Sequence, residues 1–268
     1  MITKMLESLV YPDSSSAYVK AYYGFTVLAV AYLGIAEATG KHLQYSKFWN
    51  SSSGSNKSAQ ILIPSKVGML ILYTPALLAG VSSFWVFSDG DGIRFLMLKS
   101  AITIHFLKRD LEVLFVHKFS GHMVLNTALL ISSTYFTAAA SMIYFQNRVE
   151  GVPEPLVDLK YVGLLVFLVG MVGNFYHHYL LSKLRDEKDK GYKIPRGGLF
   201  SLVICPHYLF EILTFIGISF ISQTLFSYLF TVGSAMYLLA RSRATRNWYL
   251  SKFEDFPKNV KALIPYVL

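Results

Sequence analysis

Seven apolar stretches, each about long enough to cross a bilayer, constrain this chain more than any motif it carries. A hydrocarbon core about 30 Å thick needs roughly 17 to 25 apolar residues in helical form. Such runs lie near 18–39, 62–87, 97–117, 122–145, 159–182, 198–221 and 224–241. Backbone groups in lipid have no water to bond, so segments of this length are expected to be helices. The predicted fold is an all-α membrane protein, a bundle of about seven transmembrane helices forming a single domain over 1–268. Composition agrees, with 53% of residues hydrophobic and a mean hydropathy of +0.43. The third stretch is the weakest, because Lys108, Arg109, Asp110 and Glu112 interrupt it. Glu7, Asp13 and a run of serines precede the first, so no cleavable leader is expected there.

The net charge of +9 raises the question of nucleic acid, but the basic residues sit in short clusters between apolar spans. That placement excludes a soluble basic face and points to anionic lipid or a phosphate-bearing cofactor. Lys and Arg are dense in 41–60, 182–197 and 241–268 and sparse in the alternate segments. The dense side is expected to be cytosolic, which places the C-terminus there as well. Asn50 and Asn56, both in glycosylation sequons, then fall on the cytosolic side as polar loop residues. Cys205 is the lone cysteine, so neither an intramolecular disulfide nor a cysteine metal site can form, and a small core residue is expected.

Against this apolar background a polar cluster stands out, running from Asn174 to His178 and from His207 to Glu211. Amide, imidazole and carboxylate groups at membrane depth are expensive when idle, so they mark a functional site. Glu211 follows His207 by about one helical turn and could orient it. His177 and His178 are adjacent and point about 100° apart on a helix, so at most one is expected to face the site. Two readings stand for the basic clusters around Arg185 to Arg196 and Arg241 to Tyr249. They are either membrane anchors with a solvated loop, or a phosphate clamp with aromatic faces beside it. The chain has no Gly-x-Gly-x-x-Gly run and no Walker sequence, so a soluble nucleotide-binding domain is not indicated.

The ordered set Gly173-Asn174, Leu184-Arg185, Gly191 to Pro195, Gly197 to Phe200, Cys205-Pro-His-Tyr208, Glu211, Phe253 to Pro257 and Lys261 to Pro265 resembles the steroid 5α-reductase family. The resemblance covers 174–268 as that family's C-terminal part and the rest more loosely. A second strip, His105 to Arg109 with Glu112 and Phe115 to Ser120, is similar to very-long-chain trans-2-enoyl-CoA reductases of the same superfamily. The resemblance implies a multi-pass enzyme of the endoplasmic reticulum membrane. Such an enzyme uses NADPH to reduce a carbon-carbon double bond conjugated to a carbonyl in a lipid, a 3-oxo-Δ4 steroid first and a trans-2-enoyl-CoA second. It also implies that Asn174, Arg185, Tyr192, Lys193, His207, Glu211, Arg241 and Tyr249 lie near the cofactor, with His178 and Thr245 at further cofactor positions that depart from the family's residues.

In the steroid enzymes a glutamate on the second helix and a tyrosine on the third polarise the ketone. Aligned here, those positions hold Leu62 and Phe106, neither of which can donate a proton. Tyr208 is the expected donor in their place, because its strip resembles that of the enoyl reductases, where the tyrosine has an acid role. His105 and Lys108 are weaker candidates, Lys108 being also placed to pair with Glu112 at i,i+4. A metal site is not expected, since a membrane di-iron enzyme needs about eight clustered histidines and the chain has seven in all. A lipid-binding or cofactor-binding protein without catalysis remains the main alternative.

Overall fold

The computed structural model describes residues 8–12, 16–43, 60–87, 92–119, 121–184 and 191–267. Seven long helices run through them: α1 (Ala17–Ala38), α2 (Ser65–Val86), α3 (Ile93–Leu111), α4 (Leu125–Arg148), α5 (Lys160–Lys183), α6 (Pro206–Ser222) and α7 (Leu225–Lys252). The all-α membrane architecture is as the apolar runs predict. Four of these helices, α1, α2, α4 and α5, are long and apolar enough to span a membrane by themselves. Helix α6 is apolar but shorter, whereas α3 and α7 carry buried charge.

Three run starts differ from the sequence expectation, those near 62, 122 and 198. The second apolar run opens not as helix but as a strand, β1 (Leu62–Pro64), paired antiparallel with β2 (His122–Val124). Pro64 explains it: the residue before a proline is pushed to extended backbone, and the helix begins immediately after. Leu62 therefore lies on this ribbon and not on the second helix. The sixth run likewise starts with a 3₁₀ turn (Gly198–Ser201), and its helix waits for Pro206 at the first turn.

Helix α3 resolves the charge that weakened the third span. Its Arg94, Lys99, His105, Arg109 and Asp110 are all buried, so they face protein and not lipid. Lys99 bonds the Phe87 carbonyl at 2.9 Å and sits over the Phe84 and Phe95 rings. At the other end a π-helical turn (Glu112–Val116) extends α3 and carries Glu112 inward.

Helices α5 and α6 lie in backbone contact, and glycine is what permits it. A Cβ at Gly170 would stand 2.5 Å from the Thr214 nitrogen, and one at Gly217 would stand 2.4 Å from the Phe167 nitrogen. Membrane helices that approach this closely rely on small residues at the crossing. The consequence is functional, since the same approach brings Asn174 and His178 of α5 against His207 and Glu211 of α6.

Candidate active site

The polar centre is built where α2, α3, α5 and α6 converge. Asn174 donates to Glu211 Oε2 at 2.8 Å and to the His207 carbonyl at 2.8 Å, while its own carbonyl oxygen accepts from Lys108. Lys108 also stands 3.0 Å from Glu112 Oε1. Arg109 donates to Glu112 Oε2 at 2.7 Å and to the phenol oxygen of Tyr73, and it lies 2.9 Å from His178 Nδ1. Two cations, Lys108 and Arg109, thus face two carboxylates, Glu112 and Glu211, with Asn174 linking the pairs. Buried charge is tolerable in this form because each ion keeps several polar partners.

Of the adjacent histidines, one faces the site. His178 lines the central cavity beside Arg109, whereas His177 turns to the Gly173 carbonyl at 2.7 Å and receives the Leu199 amide at 3.1 Å. Glu112, His117 and His178 place three ligand-type atoms within 4.8 Å of one another, a number that could suit a cation. The Arg109 guanidinium already bonds two of these groups, so positive charge stands there without a metal.

Two cavities meet at this centre. The first, about 310 Å³, is bounded by apolar side chains such as Met69, Leu72, Ile131, Phe215 and Phe230 and ends on Tyr73, Arg109, His178 and Glu211. The second, about 250 Å³, is lined by Lys118, Lys193 and Arg241 together with Tyr192 and Tyr249. His117, Tyr192, His207 and Tyr208 line both, so Tyr208 stands at the junction of a lipid-like chamber and a basic, aromatic one. The donor set of the second chamber suits a phosphorylated dinucleotide: cations for phosphate and aromatic faces for a base or nicotinamide ring.

The structure gathers most of the residues singled out from sequence. Tyr192, Lys193, His207, Arg241, Thr245 and Tyr249 share the second chamber, whereas Glu211 lines the first and Asn174, bonded to it, lines neither. Arg185 lies outside the described residues. Arg241 is not an open clamp, because its guanidinium is buried against Glu37 of α1 at 2.9 Å. Lys108 and His105 are absent from the lining of either chamber: Lys108 is engaged by Glu112 and Asn174, and His105 is buried 3.5 Å from Glu211. Cys205 is a buried core residue, as expected. Leu62 and Phe106 also line neither chamber, and Phe106 packs on Tyr135.

Tyr73, Arg109 and Glu112 form part of the centre without having been singled out as site residues. The charges of α3 could have flagged the last two, because an ionisable residue in an apolar helix calls for a partner. Tyr73 gives no such signal, since a tyrosine in an apolar helix reads as core.

The profile of the family described as 3-oxo-5-alpha-steroid 4-dehydrogenase matches residues 117–268. A very-long-chain enoyl-CoA reductase of Dictyostelium discoideum is 36% identical over 168 residues, covering 62% of this chain and 56% of the relative. The steroid 5-alpha-reductase DET2 of Gossypium hirsutum is 45% identical over 106 residues, covering 39% of this chain and 41% of the relative. The 3-oxo-5-alpha-steroid 4-dehydrogenase 1 of Mus musculus is 42% identical over 106 residues, covering 40% and 42%. The chain thus spans about half the length of the relatives it matches.

Proposed function

Because this chain belongs to the 3-oxo-5-alpha-steroid 4-dehydrogenase family, we propose that it reduces a carbon-carbon double bond conjugated to a carbonyl in a lipid, with NADPH as reductant. The observation that carries this reading is the junction of the two chambers at Tyr208, His207 and His117. An apolar chamber for the lipid and a basic, aromatic one for the cofactor must share a wall if a hydride is to pass between their occupants. NADPH in the second chamber would supply that hydride to the β carbon of the lipid. Negative charge then gathers on the carbonyl oxygen, and a proton must reach the α carbon. Tyr208 holds a hydroxyl at the shared wall, and we assign the α-carbon proton to it. Lys108 acts behind it as the charge partner of Glu112, and His105 lies 3.5 Å from Glu211.

A 3-oxo-Δ4 steroid and a long-chain trans-2-enoyl thioester both offer such a bond. One observation favours the thioester: the positions of the ketone-polarising pair hold Leu62, which lines neither chamber, and Phe106, with no hydroxyl. The proposed setting is the endoplasmic reticulum membrane, crossed several times, with the C-terminus cytosolic. The Lys and Arg distribution supports that orientation.

The test is NADPH oxidation by the detergent-purified protein against a panel of 3-oxo-Δ4 steroids and enoyl-CoAs. Turnover is expected on at least one class, and Tyr208→Phe should lower it about 10²-fold with NADPH affinity kept. NADPH binding with no turnover on any member would replace this reading with a non-catalytic lipid-binding role.

A further inference from the structure

We infer that Glu37 determines how strongly the second chamber discriminates NADPH from NADH: its carboxylate cancels the charge of Arg241, and recognition of the 2′-phosphate falls to Lys118 and Lys193. The inference rests on the reading of that chamber as a dinucleotide site and names the residue that tunes it. Glu37 lines neither chamber, so it acts through charge and not through contact with the cofactor.

The register of two helices delivers Glu37 to its partner. A Cβ at Gly233 of α7 would stand 2.5 Å from Val30 Cγ2 of α1, and one at Gly34 of α1 would stand 3.9 Å from the Tyr237 nitrogen of α7. Residues three and four apart share a helix face, so the series that pairs 30 with 233 and 34 with 237 continues to 37 with 241. Glu37 Oε1 accordingly accepts from Arg241 Nη1 at 2.9 Å, with each residue 1% exposed. The same oxygen lies 2.7 Å from His42 Nδ1, and Oε2 is buried with no hydrogen-bond partner among the described residues. The whole carboxylate is thus committed to the wall behind the chamber.

Burial makes the cancellation count. Away from water a lone guanidinium acts on a phosphate across several ångströms, whereas a carboxylate in contact with it leaves a dipole whose field fades faster with distance. Of the three cations lining the second chamber, Arg241 is buried and Lys118 and Lys193 are exposed. None of the described residues lining it is acidic. Glu37, one layer behind that lining, is therefore the carboxylate that sets how much of the chamber's positive charge a phosphate meets.

The experiment measures binding without turnover. The full-length protein in detergent is titrated by fluorescence with NADPH and with NADH, at about pH 8, well above histidine's ordinary value. The ratio of the two affinities is the readout, because a purely structural role for the pair moves both affinities together. Glu37→Gln should raise the preference for NADPH about tenfold, the scale of one uncancelled unit charge acting on a phosphate through protein. Replacing both partners, as Glu37→Met with Arg241→Met, removes two charges that cancel and should leave the ratio at the parent value. Adding Lys118→Ala and Lys193→Ala to that protein should then lower it. Removing both buried charges at once leaves neither uncompensated, so the paired replacement tests the inference even where Glu37→Gln fails to fold. A ratio that falls in the paired replacement would make Arg241 itself the phosphate ligand and overturn the inference. An unchanged or lower ratio in Glu37→Gln, or one that the two lysine replacements do not lower, overturns it as well. A parent protein that binds neither dinucleotide overturns the cofactor reading too, whereas binding without turnover overturns the reductase reading and leaves this inference standing.

Discussion

Arg241 of α7 places Nη1 2.9 Å from Glu37 Oε1 of α1, and both side chains are almost wholly buried. The pair fastens the last helix to the first, and Glu37 is held a second time by His42 Nδ1 at 2.7 Å. Arg241 also lines the basic chamber, so its charge serves two neighbours. Removing one partner of a buried pair leaves the other uncompensated. Arg241→Ala should therefore destabilise the protein by about 3 to 5 kcal/mol. Replacing both, as Glu37→Met with Arg241→Met, should be milder than either alone. Thermal unfolding in one detergent checks this, and additive losses would show that the pair is not coupled.

The α5 and α6 contact predicts a second outcome. Gly170→Val would drive a branched side chain into the Thr214 backbone, where even a Cβ stands at 2.5 Å. The helices would have to part, disturbing Asn174 and Glu211 together. Overpacking of this kind costs about 1 to 3 kcal/mol, and NADPH affinity should fall with stability. Gly24, whose added Cβ meets nothing within 4 Å, supplies the control: Gly24→Ala should leave both unchanged.

A third prediction concerns the phosphate clamp. Lys193 and Lys118 are exposed and line the basic chamber, so their side chains lie outside the packed core. Lys193→Ala and Lys118→Ala should each weaken NADPH binding by about 1.5 to 3 kcal/mol, the range for hydrogen bonds to charged groups, with thermal stability kept. Arg185→Ala, outside the described residues, belongs in the same titration. Retained affinity in all three proteins would assign the phosphates to other groups.

At the far end of the bundle, Arg94 bonds Glu154, Asp158 at 2.6 Å, the Ile221 carbonyl at 2.6 Å and Gln223 at 3.0 Å. Burial would raise the Asp158 carboxyl, but hydrogen bonds from Lys160 and the charges of Arg94 and Lys160 outweigh it and hold the group below its ordinary value. The unfolded chain thus binds more protons here than the folded one. The contribution of Asp158 is full above its unfolded value of about 4 and fades as pH falls below that, through the lower folded value. Asp158→Asn should flatten stability between about pH 5 and pH 3 relative to the parent. Parallel pH profiles for the two proteins would assign the acid sensitivity elsewhere.

Sequence carried much of the site because its residues sit in segments that are local in the chain. Asn174, Tyr192, Lys193, His207, Tyr208 and Tyr249 announce themselves as polar or aromatic groups within one C-terminal stretch, and the structure sets the last five around adjoining chambers, with Asn174 bonded to the His207 carbonyl. The choice between His177 and His178 followed the helical period, and only their neighbours decided which ring faces inward. Lys108 and Arg241 show the opposite case. Each is a cation in a functional-looking strip, and each is engaged by a carboxylate, Glu112 four residues on or Glu37 on a distant helix.

What the sequence determined by itself was the class of protein, its helices and the polar strip of its C-terminal part. Apolar run length is a local property, and lipid leaves the backbone no choice but helix over such lengths. Only the tertiary structure decided which charges are spent on one another and which remain for a ligand. Tyr73 meets Arg109 and Arg241 meets Glu37 because helices distant in sequence cross at fixed angles. Those crossings are set by packing at residues such as Gly170 and Gly217, where the absence of a side chain carries the information. No pattern within a single helix records which residue of another will lie across from it.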